Sequence, residues 1–259
     1  MSIHATALVS SQAEIDPSAE IGPYVVIEGK VRIGARSRVL SHACLFGETE
    51  IGEDNIIHPF AVIGHDPQDL SYRGEPTSLV VGHGNTFREG CSVHRGTPSG
   101  GGTVVGNDNF LMANSHIGHD CRVGDSVILA NGVLLGGHVR IADHAFISGN
   151  VVIHQFCRVG RHAMLGGASG YSKDVLPFCT GSTGKINQVM GLNVIGLRRA
   201  GFDADQRREI KDAYRTIYLS GLSVSQALAE LDRRPLGDLA REMVEFVRAS
   251  RRGICRHAR

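Results

Sequence analysis

The chain has 259 residues, 42% of them hydrophobic, and a formal net charge of +1, which supports a substantial buried core and excludes a disordered polyelectrolyte or a bulk-charge nucleic-acid coat. No run of about 18 apolar residues occurs, and the start MSIHATALVSS lacks a basic flank followed by an apolar stretch, so neither a membrane span nor a secretory leader is expected. Gly supplies 33 residues, Trp none and aromatics 5%, so small and aliphatic side chains must shape the core; six scattered Cys without a CxxC read as reduced thiols of a cytoplasmic protein.

Stepping by six from Ile3 meets Val9, Ile15, Ile21 and Ile27 and continues without a break to Ile63. The same phase resumes at Val81, Phe87 and Val93, then runs from Val105 through Ile117, Leu135 and Ile153 to Leu165. Gly often follows the aliphatic residue, as at Gly22, Gly34, Gly52 and Gly106, and Ala often precedes it by two places, as at Ala19, Ala43 and Ala61. A period of six fits neither an α-helix nor one long alternating strand, but it fits short strands joined by tight turns. Gly or Asn at the corner would take the turn dihedrals that β-branched residues resist. Three sides then make one coil of 18 residues, and coils stack as parallel strands about 4.8 Å apart. The expectation is an all-β parallel β-helix whose like residues pile up in the interior.

The column is interrupted at about 65–78, around HDPQDLSYRGEPTS, and at about 95–104, around RGTPSGGGT. Both segments are rich in Gly, Pro and polar groups and should leave the coil as loops that build a binding face. After Leu165 the column fades through a Gly-rich stretch to Gly184. Ile210, Ala213, Tyr214, Ile217 and Tyr218 then form a helical stripe within 203–219, ended by Ser220 and Gly221. Ser223 with Gln226 reads as a capping box for a second helix through Leu231, and a third is expected from near Leu236 after Pro235. The expected division is a β-helix over 1–191 and a helical domain over 192–259. From Arg198 onward the chain carries 14 Lys or Arg against 9 Asp or Glu, a basic end able to steer an acidic partner.

Histidine carries the chemistry. On an 18-residue coil Asp120, His138 and Phe156 share one angular position, His119 lies beside it, and His154 falls two places short. Imidazoles one coil apart are about 5 Å from one another. A general base near neutral pH can be assembled there, with a neighbouring carboxylate setting its tautomer. Two other readings use the same residues: His116, His119 and His138 as zinc ligands with an open water position, or a trimeric spacer that carries no chemistry.

The hexapeptide column together with DPQDLSYRGEPT, VHRGT, GGGTVVGNDNFLMANSHIGHDC, LLGGH at 134–138, VIHQF at 152–156 and GLNVIGLRRAGF at 191–202 resembles the UDP-N-acetylglucosamine O-acyltransferases over essentially the whole chain. The resemblance implies a left-handed β-helix, a small C-terminal α-helical domain and a cytoplasmic homotrimer with active sites between subunits. It implies transfer of a 3-hydroxyacyl group from acyl carrier protein to the 3-hydroxyl of UDP-N-acetylglucosamine, the first step of lipid A biosynthesis, without metal, other cofactor, nucleic acid or membrane span. His119 then matches the general base, Asp120 its orienting carboxylate and Gly137 an oxyanion-stabilising N–H. Asp69, His116, His138, His154, Gln155, Asn193 and Arg199 match substrate-binding positions, and Gly167 matches the residue that limits acyl-chain length. Ser71, Ile195 and Ala200 depart from the family's usual Lys, Glu and Arg, which leaves a 3-amino acceptor or the related N-acylation as alternatives.

Overall fold

A computed structural model describes residues 2–258; Met1 and Arg259, the outer ends of the two expected segments, lie outside the described residues. Among the described residues, strands of mostly two or three residues recur from Ser2–Ile3 to Arg256–His257 and collect into three faces of twelve, nine and eight strands. Successive coils pair in parallel, with Ile3 over Ile21, Ile27 over Leu45, Ile117 over Leu135 and Leu135 over Ile153. The chain is a left-handed parallel β-helix followed by α-helices. The aliphatic column is its core: Leu45, Ile63, Leu111, Ile117 and Leu135 are fully buried, each such side chain stabilising the fold by about 1.5–3 kcal/mol.

The two loops occupy the gaps between strands Val62–His65 and Ser78–Val81 and between Ser92–His94 and Thr103–Val105. Pairing shows why the register survives them. Asn85 lies over Asn55 at a separation of 30 residues and Asn109 over Asn85 at 24, whereas Val127 lies over Asn109 at the ordinary 18. Each insertion is therefore a whole number of six-residue steps. These three buried Asn also form an interior ladder in which each amide oxygen accepts the next coil's backbone N–H, from Asn55 through Asn109 to Val127.

The corners meet the sequence expectation only in part: Gly84, Gly90, Gly132, Asn114 and Asn150 have left-handed backbone, but so do residues of many other types. The residue with left-handed backbone is usually not Gly: Tyr24, Arg36, Asp54, Asn114, Asp120, His138 and Phe156 all take φ between 55° and 66°, in multiples of six along the chain. Each conformation costs on the order of 1 kcal/mol, and the same residue's N–H is satisfied by the coil before it, as in His138 N–H to His119 O (2.9 Å) and Phe156 N–H to Gly137 O (3.1 Å). The Gly that follows the column is selected instead by close approach. A Cβ on Gly34 would lie 2.6 Å from the carbonyl carbon of Gly52, and one on Gly106 2.7 Å from Gly124 O.

Beyond Tyr171 the hexapeptide signal is lost: strand Cys179–Gly181 still pairs in parallel with Met164–Leu165, but Gln188–Leu192 runs antiparallel to it and ends the coil. Among the described residues four helices follow: α1 (Val194–Arg199), α2 (Ala204–Leu219), α3 (Val224–Asp232) and α4 (Asp238–Arg248). The capping box of Ser223 with Gln226 opens α3 as expected, and a second box, Asp203 with Gln206, opens α2. Helix α2 buries Ile210, Ala213, Tyr214 and Ile217, and α4 buries Ala240, Met243, Val244 and Val247. Arg158 and Arg161 join α4 to the coil, the first lying over the Phe246 ring and bonding its carbonyl, the second paired with Glu242. The last strand, Arg256–His257, returns to pair with Gln188–Leu192. All six Cys are free, and no described helix is long and apolar enough to cross a membrane.

Candidate active site

The segment HIGHDC runs from a strand into a corner, and the left-handed backbone of Asp120 turns its carboxylate into the space beneath the second loop. There Oδ1 accepts the Thr97 N–H (2.9 Å) and Oδ2 accepts the Thr97 hydroxyl (2.8 Å), while the Asp120 N–H donates to Thr103 Oγ1 (2.8 Å). The glycines of the loop are required by this fit: a Cβ on Gly100 would sit 1.9 Å from the Asp120 carboxyl carbon. The loop is thus a cage for one fully buried carboxylate.

His119 Nδ1 lies 2.8 Å from Asp120 Oδ2. Because an ionised carboxylate only accepts, Nδ1 carries the proton and Nε2 presents a lone pair outward. His138, one coil on, meets the His119 ring edge-on (5.2 Å, 85°), stacks on Phe156 (4.4 Å, 11°) and places Nε2 3.6 Å from Asp120 Oδ2. Burial, aided by the His119 charge, holds His138 below the usual histidine range against the opposing pull of Asp120 and Asp69. His116 is likewise lowered, by burial first and then by His119, and its Nδ1 pairs with Ser92 Oγ (2.8 Å). His94 stands edge-on to His116 and burial pushes it down to about 4. The imidazoles around His119 are therefore held neutral near pH 7.

Gly137 has no side chain where one would strike the His119 ring, since a Cβ would lie 2.5 Å from Cε1 and Nε2. Its N–H has no acceptor among the described residues. On another corner the equivalent donors are capped by the next coil, His83 N–H by Asn107 Oδ1 (2.8 Å) and Asn107 N–H by Asp125 Oδ1 (2.7 Å). A free N–H beside an imidazole lone pair is an arrangement that can hold an oxyanion while a proton is removed.

The first loop brings Asp69 close enough for the charges of His119 and His138 to act on it, but its carboxyl is lowered chiefly by the N–H and hydroxyl of Ser71, at 2.8 and 2.7 Å. Ser71 is thus what fixes this carboxylate. The loop is itself anchored by Arg95, which bonds Gly64 O, Asp66 and the Tyr72 hydroxyl.

The other sequence candidates stand elsewhere. His154 and Gln155 are exposed in the coil beyond Gly136 and Gly137. Asn193 caps α1, accepting from Gly196 N–H (3.1 Å) and donating to His162 O (3.0 Å); with Arg199 it lines a cleft that includes His144, His162, Met164 and Ile195. Gly167 lies on the corner that contains Gly149, whose O would be 3.2 Å from its Cβ. For Thr97 the sequence offers no signal beyond membership of VHRGT.

His119, Asp120 and His138 bring potential ligand atoms within 4.8 Å of one another. This set replaces the His trio of the sequence reading, with Asp120 where His116 was expected. A cation there would have to displace the bond between His119 Nδ1 and Asp120.

Residues 174–255 match the family described as UDP N-acetylglucosamine O-acyltransferase, domain 2, and 102–137 match the bacterial transferase hexapeptide. The acyl-(acyl-carrier-protein) UDP-N-acetylglucosamine O-acyltransferases of Thermodesulfovibrio yellowstonii and Syntrophobacter fumaroxidans are 44% and 45% identical, covering 98% and 99% of this chain and 99% and 100% of their own. The chain belongs to this family. The solved UDP-N-acetylglucosamine acyltransferase of Francisella novicida superposes with a TM-score of 0.94 at 40% identity, over 98% of this chain and 94% of its own, and that of Arabidopsis with 0.87 at 35%, over 98% and 100%. The O-acyltransferase match thus spans the coil that positions His119 and Gly137 and the helices that follow it.

Proposed function

We propose that this chain transfers a 3-hydroxyacyl group from acyl carrier protein to the 3-hydroxyl of UDP-N-acetylglucosamine, the first step of lipid A biosynthesis. The observation that carries the reading is the His119 Nε2 lone pair, fixed by buried Asp120 and set beside the free Gly137 N–H. The sugar hydroxyl attacks the thioester carbonyl as His119 Nε2 takes its proton, and the carbonyl oxygen becomes an oxyanion beside Gly137. The C–S bond then breaks, the carrier thiolate recovers the proton from His119, and an ester remains on the sugar. The thioester is already activated, so base catalysis and positioning suffice without a covalent acyl-enzyme. His116, His138 and Asp69 are proposed to hold the sugar.

The surface supports a homotrimer. Most outward residues of the third face are charged, Glu14, Arg32 and Glu50 and then Arg122, Arg140 and Arg158, with Val80 and Val104 between the two groups. In its later coils the first face presents Phe110, Ile128, Phe146 and Met164, after Glu20, Arg38 and Thr86 in the earlier ones, and the second presents Val62, Leu134 and Val152 with Ser92 and His116 between. Packing the first face of one subunit on the second face of the next covers both apolar surfaces heterologously. It also carries Gly167, Asn193 and Arg199 of one subunit toward His119 of another, completing a site that one chain leaves divided. We assign the base to the coil over 1–191 and docking of acyl carrier protein to the helical domain over 192–259. Arg198, Arg207, Lys211 and Arg215 surround an apolar floor of Leu197, Tyr214 and Leu219, whereas Arg241 and Arg248 are paired with Asp238 and Asp232. The first group suits an acidic amphipathic partner. The reading places the enzyme in the cytoplasm.

The test is purified protein given a panel of carrier-protein thioesters with UDP-N-acetylglucosamine and its 3-amino analogue, the product being weighed by mass spectrometry. A hydroxylamine-labile ester on the 3-oxygen is expected. Exclusive amide formation, or hydrolysis without transfer, would refute the assignment.

A further inference from the structure

We infer that Arg252 is a substrate-binding residue that contacts the diphosphate of the sugar nucleotide. The inference rests on the acceptor proposed above and adds a residue to its site.

Lanes of the coil define the place. His119, Gly137 and Gln155 follow one another at the same turn position, as do Gly118, Gly136 and His154. No side chain fits on the intervening glycines: a Cβ would lie 2.8 Å from Leu135 O at Gly118, 2.9 Å from Gln155 N at Gly136 and 2.5 Å from the His119 ring at Gly137. The result is a trough with His119 at one end and His154 and Gln155 two coils, about 10 Å, away. That is comparable with the span from the 3-oxygen of a pyranose, across the ring, to phosphates on its anomeric carbon.

Arg252 stands at the far end. Its Nη2 is 3.3 Å from His154 Nδ1 and its Nε donates to Ser172 O (3.3 Å). The backbone around it is held: Gly253 O accepts from Asp174 N–H, Cys255 N–H donates to Asp174 O, both at 2.9 Å, and the Ser250 hydroxyl donates to Asp174 Oδ2 (2.8 Å). Neighbouring Arg158 and Arg161 are neutralised by Asp174 and Glu242, at 3.0 and 2.7 Å. Among the described residues Arg252 has no carboxylate within salt-bridge distance. The guanidinium requires a lone pair at His154 Nδ1, which puts the ring proton on Nε2 and excludes the competing bond from Nδ1 to Gln155 O (3.1 Å). The trough thus ends in a fixed cation and a second N–H donor, a pairing suited to phosphate oxygens.

The experiment compares wild type, Arg252→Gln and Arg252→Lys in steady-state turnover and in calorimetric binding of UDP and of uridine. Arg252→Gln is expected to raise KM for UDP-N-acetylglucosamine and Kd for UDP by roughly 10- to 100-fold, with far smaller changes in kcat, in KM for the acyl donor and in uridine binding. Arg252→Lys recovers part of the loss, which a purely structural role would not produce. Equal UDP affinity in wild type and a folded Arg252→Gln variant overturns the inference while leaving the acyl-transfer reading intact. A wild type that binds UDP through Arg252 yet transfers no acyl group to the sugar overturns that reading alone.

Discussion

Replacing Gly137 by Ala places a methyl carbon 2.5 Å from Cε1 and Nε2 of His119. An ordinary contact needs about 3.4–4 Å, so the ring must retreat by about 1 Å, and the 2.8 Å bond from Nδ1 to Asp120 cannot persist unchanged. Gly137 is not among the residues with positive φ, so the backbone accepts Ala and the strain falls on the imidazole. A displacement of about 1 Å at a reacting group lowers turnover by about 100-fold. The assay is steady-state kcat beside a thermal melt and a gel-filtration profile, with loss expected in kcat and the melt nearly unmoved. Turnover within a few-fold of wild type would refute the claim that the ring is held against Gly137.

Thr97→Val removes one of the donors to the buried Asp120 carboxylate; denaturant unfolding should show a loss of about 1–3 kcal/mol, and kcat should fall as Asp120 loosens. His94 is held neutral by burial, its value reduced from 6.5 to about 4. The unfolded chain therefore binds more protons between those limits, and up to about 3 kcal/mol of stability, complete above pH 6.5, is lost as pH falls toward 4. Urea titrations across that window should slope less in His94→Leu than in wild type, and equal slopes would contradict the assignment. Gly167→Met should shift donor preference to shorter acyl chains in a thioester panel, because a side chain there enters the space beside Gly149. Exhaustive chelation should leave turnover unchanged and added zinc should inhibit, since the cation would occupy His119, Asp120 and His138; loss of activity with stoichiometric zinc would favour a metal mechanism instead.

The core was legible because one aliphatic residue per side is a periodic demand, and the pairings of Ile117, Leu135 and Ile153 follow from counting. The turns were legible only where Gly or Asn fills the left-handed position, as at Gly132 and Asn114, and not where Arg36, His138 and Phe156 do. The adjacent glycines suggested turn dihedrals when their cause is the backbone of the next coil. His119 and Asp120 stood out as neighbours in sequence, whereas Thr97 is 23 residues from Asp120 and only the folded loop joins them. The six residues of α1 carry too little periodicity to announce a helix, and its cap, Asn193, stands out in the sequence only through the family resemblance. The strand at Arg256–His257 depends on long-range pairing with Gln188–Leu192, which no local pattern announces.

The direct test of the account is His119→Ala, measured for single-turnover transfer from carrier-protein thioester to UDP-N-acetylglucosamine beside its melting temperature and assembly state. A fall of about 10²–10⁴ in rate, with the fold and assembly preserved, is the expected result. Wild-type turnover by a folded His119→Ala protein would contradict the assignment of the base.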